Sequence, residues 1–182
     1  MSSVELTGSP REDIGRLLMI PTYNELENIE SLITEIRGRD FPADILVIDD
    51  NSPDGTAQKV IDMQAEFEGL IVMSRPAKTG LGSAYRSGVH WALDKQYQRL
   101  FHMDADFSHP PKVLPEIDAK LDESDLVIGS RYVRGGAVKN WGVFRRLLSR
   151  TANTTSRWML GLPVRDCTSG YRGYRRSTLE RL

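Results

Sequence analysis

The sequence predicts an α/β protein with a mostly parallel central sheet and helices on both faces. Five short apolar runs recur along the chain, each rich in Val, Ile and Leu and without strict alternation, as strands buried on both faces read. Helix-like stretches lie between them, and a β–α alternation of this kind builds a parallel sheet. Polar clusters follow four of the runs, on what would be a single sheet edge.

The runs are "RLLMI" (16–20), "ADILVID" (43–49), "LIVMS" (70–74), "RLFHMD" (99–104) and "DLVIGS" (125–130). The first helix, 24–39, places Ile29, Leu32, Ile33 and Ile36 on one face. The second, 54–67, starts at Asp54 as a cap. The third, 80–96, opens with glycines, and the fourth, 110–122, carries Pro where a first turn tolerates it. From 131 the chain turns basic and aromatic, with no acid until Asp166 and an amphipathic helix expected over 143–160. No repeat, low-complexity stretch or linker interrupts the chain. One domain is expected over 16–182, behind a flexible tail over 1–15 that is polar and lacks an apolar signal core.

Composition narrows the function classes. The 182 residues can bury a real core, 40% are hydrophobic and 27% charged, and the net charge is −1. Bulk electrostatics therefore favour neither nucleic acid nor a membrane. Cys167 is the only cysteine, so no internal disulfide forms; it reads as a small packed residue. The apolar runs are far too short to span a bilayer, so any membrane contact would be peripheral.

Four clusters fall at strand ends: "PTYNE" (21–25), "DDNSPDGT" (49–56), "KTGLGSA" (78–84) and "DADFSH" (104–109). Together they suggest one assembled pocket, although Asn-Ser-Pro-Asp-Gly is good turn chemistry by itself. Asp104 and Asp106 flank a single small residue, Ala105. Two carboxylates that close repel unless a cation or proton sits between them. Hard oxygens suit Mg²⁺ or Mn²⁺ with water and phosphate as further ligands; a solvated pair capping the next helix is the alternative. Asp49 and Asp50 can accept hydrogen bonds from a ribose or a base edge. "TGLGSA" lacks the spacing of a phosphate-binding P-loop, so its glycines also read as close helix–strand packing. His102 lies inside an apolar run and reads as a core histidine. His109 follows the acidic motif and could support its carboxylates from behind, with no catalytic role assigned. The arginines of 131–150 either bind a second anion or form a solvated basic face. Trp141, Val143 and Phe144 among them suit an interfacial surface.

In this order, "IPTYNELENI", "VIDDNSPDGTA", "KTGLGSAYRSG", "MDADFSHPP", "IGSRYVRGG", "NWGVFRRLLSRTAN" and "DCTSGYRGYRR" resemble the polyprenyl- and dolichyl-phosphate mannose synthases over about residues 16–176. These are inverting glycosyltransferases of the A-type (GT-A), Rossmann-like nucleotide-sugar fold. The resemblance implies transfer of mannose from GDP-mannose to a polyprenyl phosphate, with Mg²⁺ or Mn²⁺. It implies that Pro21, Tyr23 and Glu25 line the nucleotide site and that Ile48 and Asp50 contact the guanosine. Asp104, Ala105 and Asp106 would hold the diphosphate, Asp106 chiefly through the metal that Asp104 and Asp106 bind, with Arg131 facing the phosphates. Arg145, Arg146 and Ser149 are the candidates for the lipid phosphate.

Ser108 stands where some members of that family carry a Gln metal ligand. The chain also stops at "YRRSTLERL", where members continue, so it reads as truncated at its C-terminus. The resemblance places the protein at the cytoplasmic face of a membrane, held there by a missing tail or an anchoring subunit, with no nucleic acid partner. The alternatives are a UDP-sugar-dependent transferase to the same acceptor and a nucleotide-sugar-binding fragment with little turnover. A sugar-1-phosphate nucleotidyltransferase would want a Gly-rich loop and a basic residue after the first strand, where "PTYNE" stands. A phosphatase using D-x-D as nucleophile would want that motif after an early strand.

Overall fold

The computed structural model describes residues 3–130, 166 and 168–181. The elements run β1 (Glu5–Thr7), β2 (Arg16–Thr22), α1 (Leu26–Arg37), β3 (Asp44–Asp49), α2 (Thr56–Met63), β4 (Leu70–Ser74) and α3 (Leu81–Asp94). They continue with β5 (Arg99–His102), a 3₁₀ turn (Pro111–Val113), α4 (Leu114–Lys120), β6 (Leu126–Ile128), β7 (Arg172–Arg175) and α5 (Arg176–Leu179). The basic stretch 131–165, its expected helix 143–160, and Cys167 lie outside the described residues.

The described strands form one sheet in the order β1-β4-β3-β2-β5-β7-β6. Strands β4, β3, β2 and β5 are parallel, and β1 and β7 are antiparallel to their neighbours. The chain steps from β2 through β3 to β4 in one direction, then returns to place β5 on the other side of β2. Right-handed crossovers put the first two helices on one face and force the returning helix onto the other. Ile29, Leu32, Ile33 and Ile36 of α1 and Val60 and Met63 of α2 pack on Leu18, Ile20, Ile45 and Val47, joined by Leu114 and Ile117 of α4. Ala84 and Ala92 of α3 pack on the alternate side chains, Leu17, Met19, Leu46 and Ile48. At Gly88, a Cβ would stand 2.6 Å from Ile48 Cδ1 and 2.8 Å from Met19 Sδ, so this glycine lets α3 lie close to the sheet.

Residues 5–7, expected within a flexible tail, instead pair with Val72–Ser74 as an antiparallel edge strand. Arg11 fastens the segment further, its Nε donating to Asp44 Oδ1 at 2.7 Å. An edge strand needs only one bonding partner and no apolar run, so composition alone reads it as tail. β7 also went unread in the sequence. Its "RGYR" holds Gly173, where α4 and Phe101 fill the space a side chain would take.

Candidate functional site

The reversal of strand order leaves a crevice between the carboxyl ends of β2 and β5, where open α/β sheets bind ligands. The loops after β2 and β3 are stitched together at this edge. Thr22 Oγ1 donates to Asp49 Oδ1 (3.0 Å), and the Asn24 N–H donates to Ser52 Oγ (3.0 Å). The Glu25 N–H donates to Thr56 Oγ1 (3.0 Å) and the Leu26 N–H to Asp54 Oδ2 (3.1 Å). Asp54 also takes the Thr56 N–H at 3.0 Å, so one carboxylate serves the starts of both α1 and α2. Its slight burial favours the neutral form, but the hydrogen bonds from Thr56 and Leu26 outweigh this and hold its pKa below the usual range. "PTYNE" and "DDNSPDGT" are thereby one structure. Their turns pass through Asn24 and Asn51, both at φ 59°, a left-handed conformation that Asn tolerates.

The adjacent aspartates of this edge differ. Asp49 is 1% exposed and consumed by the loop, accepting from Thr22 and from both the N–H and hydroxyl of Ser52. Asp50 pairs with Arg75, their Oδ1 and Nη1 standing 2.9 Å apart without the alignment of a hydrogen bond. Burial raises the Asp50 pKa, and the Arg75 charge opposes that rise. Arg75 Nη2 reaches Thr79 Oγ1 and, at 2.8 Å, Ser83 Oγ, which ties the start of α3 to Asp50. Lys78 of the same loop lays its ammonium 3.6 Å from the centre of the Tyr23 ring, a cation–π contact. Arg75, a lone charge after a strand, was not singled out in the sequence, and Lys78 entered only as part of a glycine-rich cluster.

Across the crevice, Met103 N–H donates to Met19 O (3.1 Å), so Asp104 leaves the sheet beside the end of β2. Ala105 is 3% exposed, whereas Asp106 is exposed and its Oδ1 accepts the Ser108 N–H at 2.9 Å. Phe107 then takes φ 57°, which an aromatic residue adopts only under strain. Behind the motif, Tyr85 of α3 directs its hydroxyl toward Asp104, and burial followed by that carboxylate pushes its pKa well up. His102 stacks on Tyr85 with centroids 4.0 Å apart and lies against Tyr174 at 5.0 Å. Burial first, and Arg172 second, lower the His102 pKa to about 3, so the expected core histidine is neutral.

The expected donor residues separate into two sets. Tyr23 and Asp106 are exposed at this edge and Pro21, Glu25 and Asp104 are partly so, whereas Asp50 and Ala105 are buried beside them. Ile48 is 0% exposed with its side chain in the α3-facing core, so it underlies the crevice rather than lining it. Arg131, Arg145, Arg146 and Ser149 lie outside the described residues.

The carboxylates suit a divalent cation of the Mg²⁺ or Mn²⁺ type. They offer hard oxygens on an accessible edge. Such a pair leaves most of the coordination sphere to water and phosphate oxygens, as these ions prefer.

A doubly wound sheet with an acidic pair at its switch point is the α/β fold of the nucleotide-sugar transferases, GT-A. It overlays a solved mannosyltransferase from Pyrobaculum calidifontis, in complex with GDP-Man and Mn²⁺, with a TM-score of 0.64 at 19% identity, covering 99% of this chain and 50% of that one. The profile of glycosyl transferase family 2 matches residues 18–182, and the chain belongs to that family. It is 46% identical over 168 residues to a polyprenol monophosphomannose synthase of Mycolicibacterium smegmatis, covering 91% of this chain and 63% of the relative. It is 44% identical over 163 residues to an undecaprenyl-phosphate mannosyltransferase of Micrococcus luteus, covering 90% and 67%. The chain thus spans less than two thirds of the mycobacterial synthase.

Proposed function

We propose that the chain carries the catalytic domain of a mannosyltransferase that moves mannose from GDP-mannose to a polyprenyl phosphate with inversion, giving polyprenyl-phosphate mannose and GDP. The observation that carries this reading is the 44–46% identity to a polyprenol monophosphomannose synthase and an undecaprenyl-phosphate mannosyltransferase, over nine tenths of this chain. On this reading Pro21, Tyr23, Glu25 and Asp50 would bound the nucleotide end of the crevice, and Asp104, Ala105 and Asp106 the diphosphate end.

Asp104 and Asp106 would hold Mg²⁺ or Mn²⁺, which when bound neutralises charge on the leaving diphosphate. An acceptor phosphate is already an anion at neutral pH, so the transfer needs no general base. The protein's part is to align two anions in line and to screen their repulsion. Arg131 would face the donor phosphates, and Arg145, Arg146 and Ser149 would take the acceptor phosphate. Among the described residues no helix is long and apolar enough to cross a membrane. A lipid acceptor would bring the reaction to a membrane face, with contact through the basic, aromatic stretch after 130 or through an anchoring partner.

Calorimetric titration with GDP-mannose, with and without Mn²⁺, tests the donor. The expected result is metal-dependent binding that Asp106→Ala abolishes and UDP-glucose does not reproduce. Preference for UDP-glucose would replace the donor while keeping the metal site. Equal binding by the Asp106→Ala variant would remove the D-x-D from the reading.

A further inference from the structure

His109 is used by none of the steps above, yet its imidazole is fitted to the back of the D-x-D. Its Nδ1 accepts the backbone N–H of Asp104 at 3.0 Å. An accepting nitrogen carries no proton, so the hydrogen of the neutral ring is on Nε2. The same Nδ1 is 3.7 Å from Asp104 Oδ2, beyond hydrogen-bond length. The ring bonds the Asp104 peptide, then, and not its carboxylate. The ring itself is held. It is 7% exposed and stacks on Tyr171 with centroids 4.9 Å apart and planes 12° from parallel. Tyr171 in turn donates its hydroxyl to Pro110 O at 2.9 Å. Gly170 closes the remaining side. A Cβ there would stand 3.3 Å from His109 Cε1 and 3.4 Å from each Asp104 carboxylate oxygen.

We infer that His109 is a positioning residue for the D-x-D, fixing the Asp104 peptide so that the Asp104 side chain leaves the sheet toward the cation and diphosphate. A core histidine present only for packing would make no use of Nδ1; here that atom caps the one backbone donor at the motif's first carboxylate. The inference rests on the metal reading given above and deepens it.

The test is a Mn²⁺ titration in the presence of GDP, followed by the electron paramagnetic resonance of free Mn²⁺, with thermal unfolding of each variant alongside. His109→Asn puts an amide oxygen at the place of Nδ1. His109→Gln reaches the place of Nε2 instead, and His109→Leu keeps bulk without an acceptor. His109→Leu and His109→Gln are expected to weaken Mn²⁺ by about 10- to 100-fold, the usual effect of losing a ligand's supporting partner, while His109→Asn stays near wild type. Should His109→Leu fail to fold, the Asn and Gln pair decides. Equal Mn²⁺ affinity in the Asn and Gln variants would overturn the positioning role, as would wild-type affinity in the Leu variant. Wild type that binds no Mn²⁺, like an Asp106→Ala control, would overturn the metal reading and this inference with it.

Discussion

Neighbouring side chains of the same type take opposite roles at this edge, and their partners decide which. Asp49 is saturated by Thr22 and Ser52, while Asp50 is left facing Arg75. The D-x-D was legible in the sequence because two carboxylates around one small residue demand a physical explanation wherever they fall. Arg75, Tyr85 and Gly170 were not, since each meets its partner only through the fold and has no local pattern. His102 was legible as core, and its cost is now visible. Its Nε2 is buried without a hydrogen-bond partner among the described residues, and its pKa of about 3 lies well below the unfolded value of about 6.5. The sign follows from proton counting. Below about pH 6.5 the unfolded chain takes up a proton that the folded chain refuses until about pH 3, so stability falls with pH across that window. The expected contribution is at most about 1.4 kcal/mol per pH unit. Urea unfolding of wild type and His102→Phe between those limits measures it. The variant's stability should fall less steeply on acidification, and parallel curves would show that His102 is protonated in the folded state as well.

At the scale of elements, β2, β3, β4 and β5 could be read because both of their faces are covered and their sequences are apolar without a break. β1 and β7 escaped reading for different reasons. β1 has three residues and one neighbour, with Leu6 46% exposed, so it carries no burial signal. β7 gains its place from what its neighbours press into it, with Ile117 Cγ2 only 2.7 Å from where a Cβ of Gly173 would be. Helix ends also moved inward. The second helix, expected over 54–67, is Thr56–Met63; it starts later because Asp54 is spent on the N–H groups of Thr56 and Leu26. The turn into β4 is as closely specified as any strand. Gly69 has φ +70°, and a Cβ there would lie 2.1 Å from Asp44 Oδ1 and 2.6 Å from Arg11 Nε. Its carbonyl also takes the Ile45 N–H at 2.9 Å, so the backbone cannot move away without breaking into β3. Gly69→Ala therefore combines a backbone penalty with a clash against a buried ion pair, and is expected to cost about 2 kcal/mol or more. Denaturant midpoints read this directly, and an unchanged midpoint would mean that the Arg11–Asp44 pair can shift freely.

Over the whole molecule the two ends of the parallel strands carry different burdens. The carboxyl ends hold the acidic pair, Asp50 and the stitched loops; the amino ends hold a buried polar knot. Asp44 is 0% exposed there, accepting from Arg11 Nε at 2.7 Å, from the Arg11 N–H at 3.1 Å and from the Tyr97 hydroxyl at 2.6 Å. Arg37 closes the knot by donating to Ala43 O at 2.9 Å and Glu68 O at 2.8 Å, and burial, with Arg11 second, lowers its pKa. Asp44 and Asp49 are five residues apart on one strand, which is about 17 Å at the usual rise. Loss of Arg11 leaves Asp44 buried with Tyr97 as its remaining side-chain donor. Because Arg11 is itself 22% exposed, Arg11→Ala should cost about 2–3 kcal/mol, the lower side of what breaking a buried pair costs. Tyr97→Phe should cost about 1.5–3 kcal/mol, one hydrogen bond to a buried carboxylate. Both variants are expected to bind GDP-mannose as wild type does at a temperature where they remain folded, because the knot touches no residue of the crevice. Parallel calorimetry and denaturant unfolding separate the two quantities. A loss of nucleotide affinity that follows the loss of stability would mean instead that β3 transmits strain from the N-terminal segment to Asp49 and Asp50.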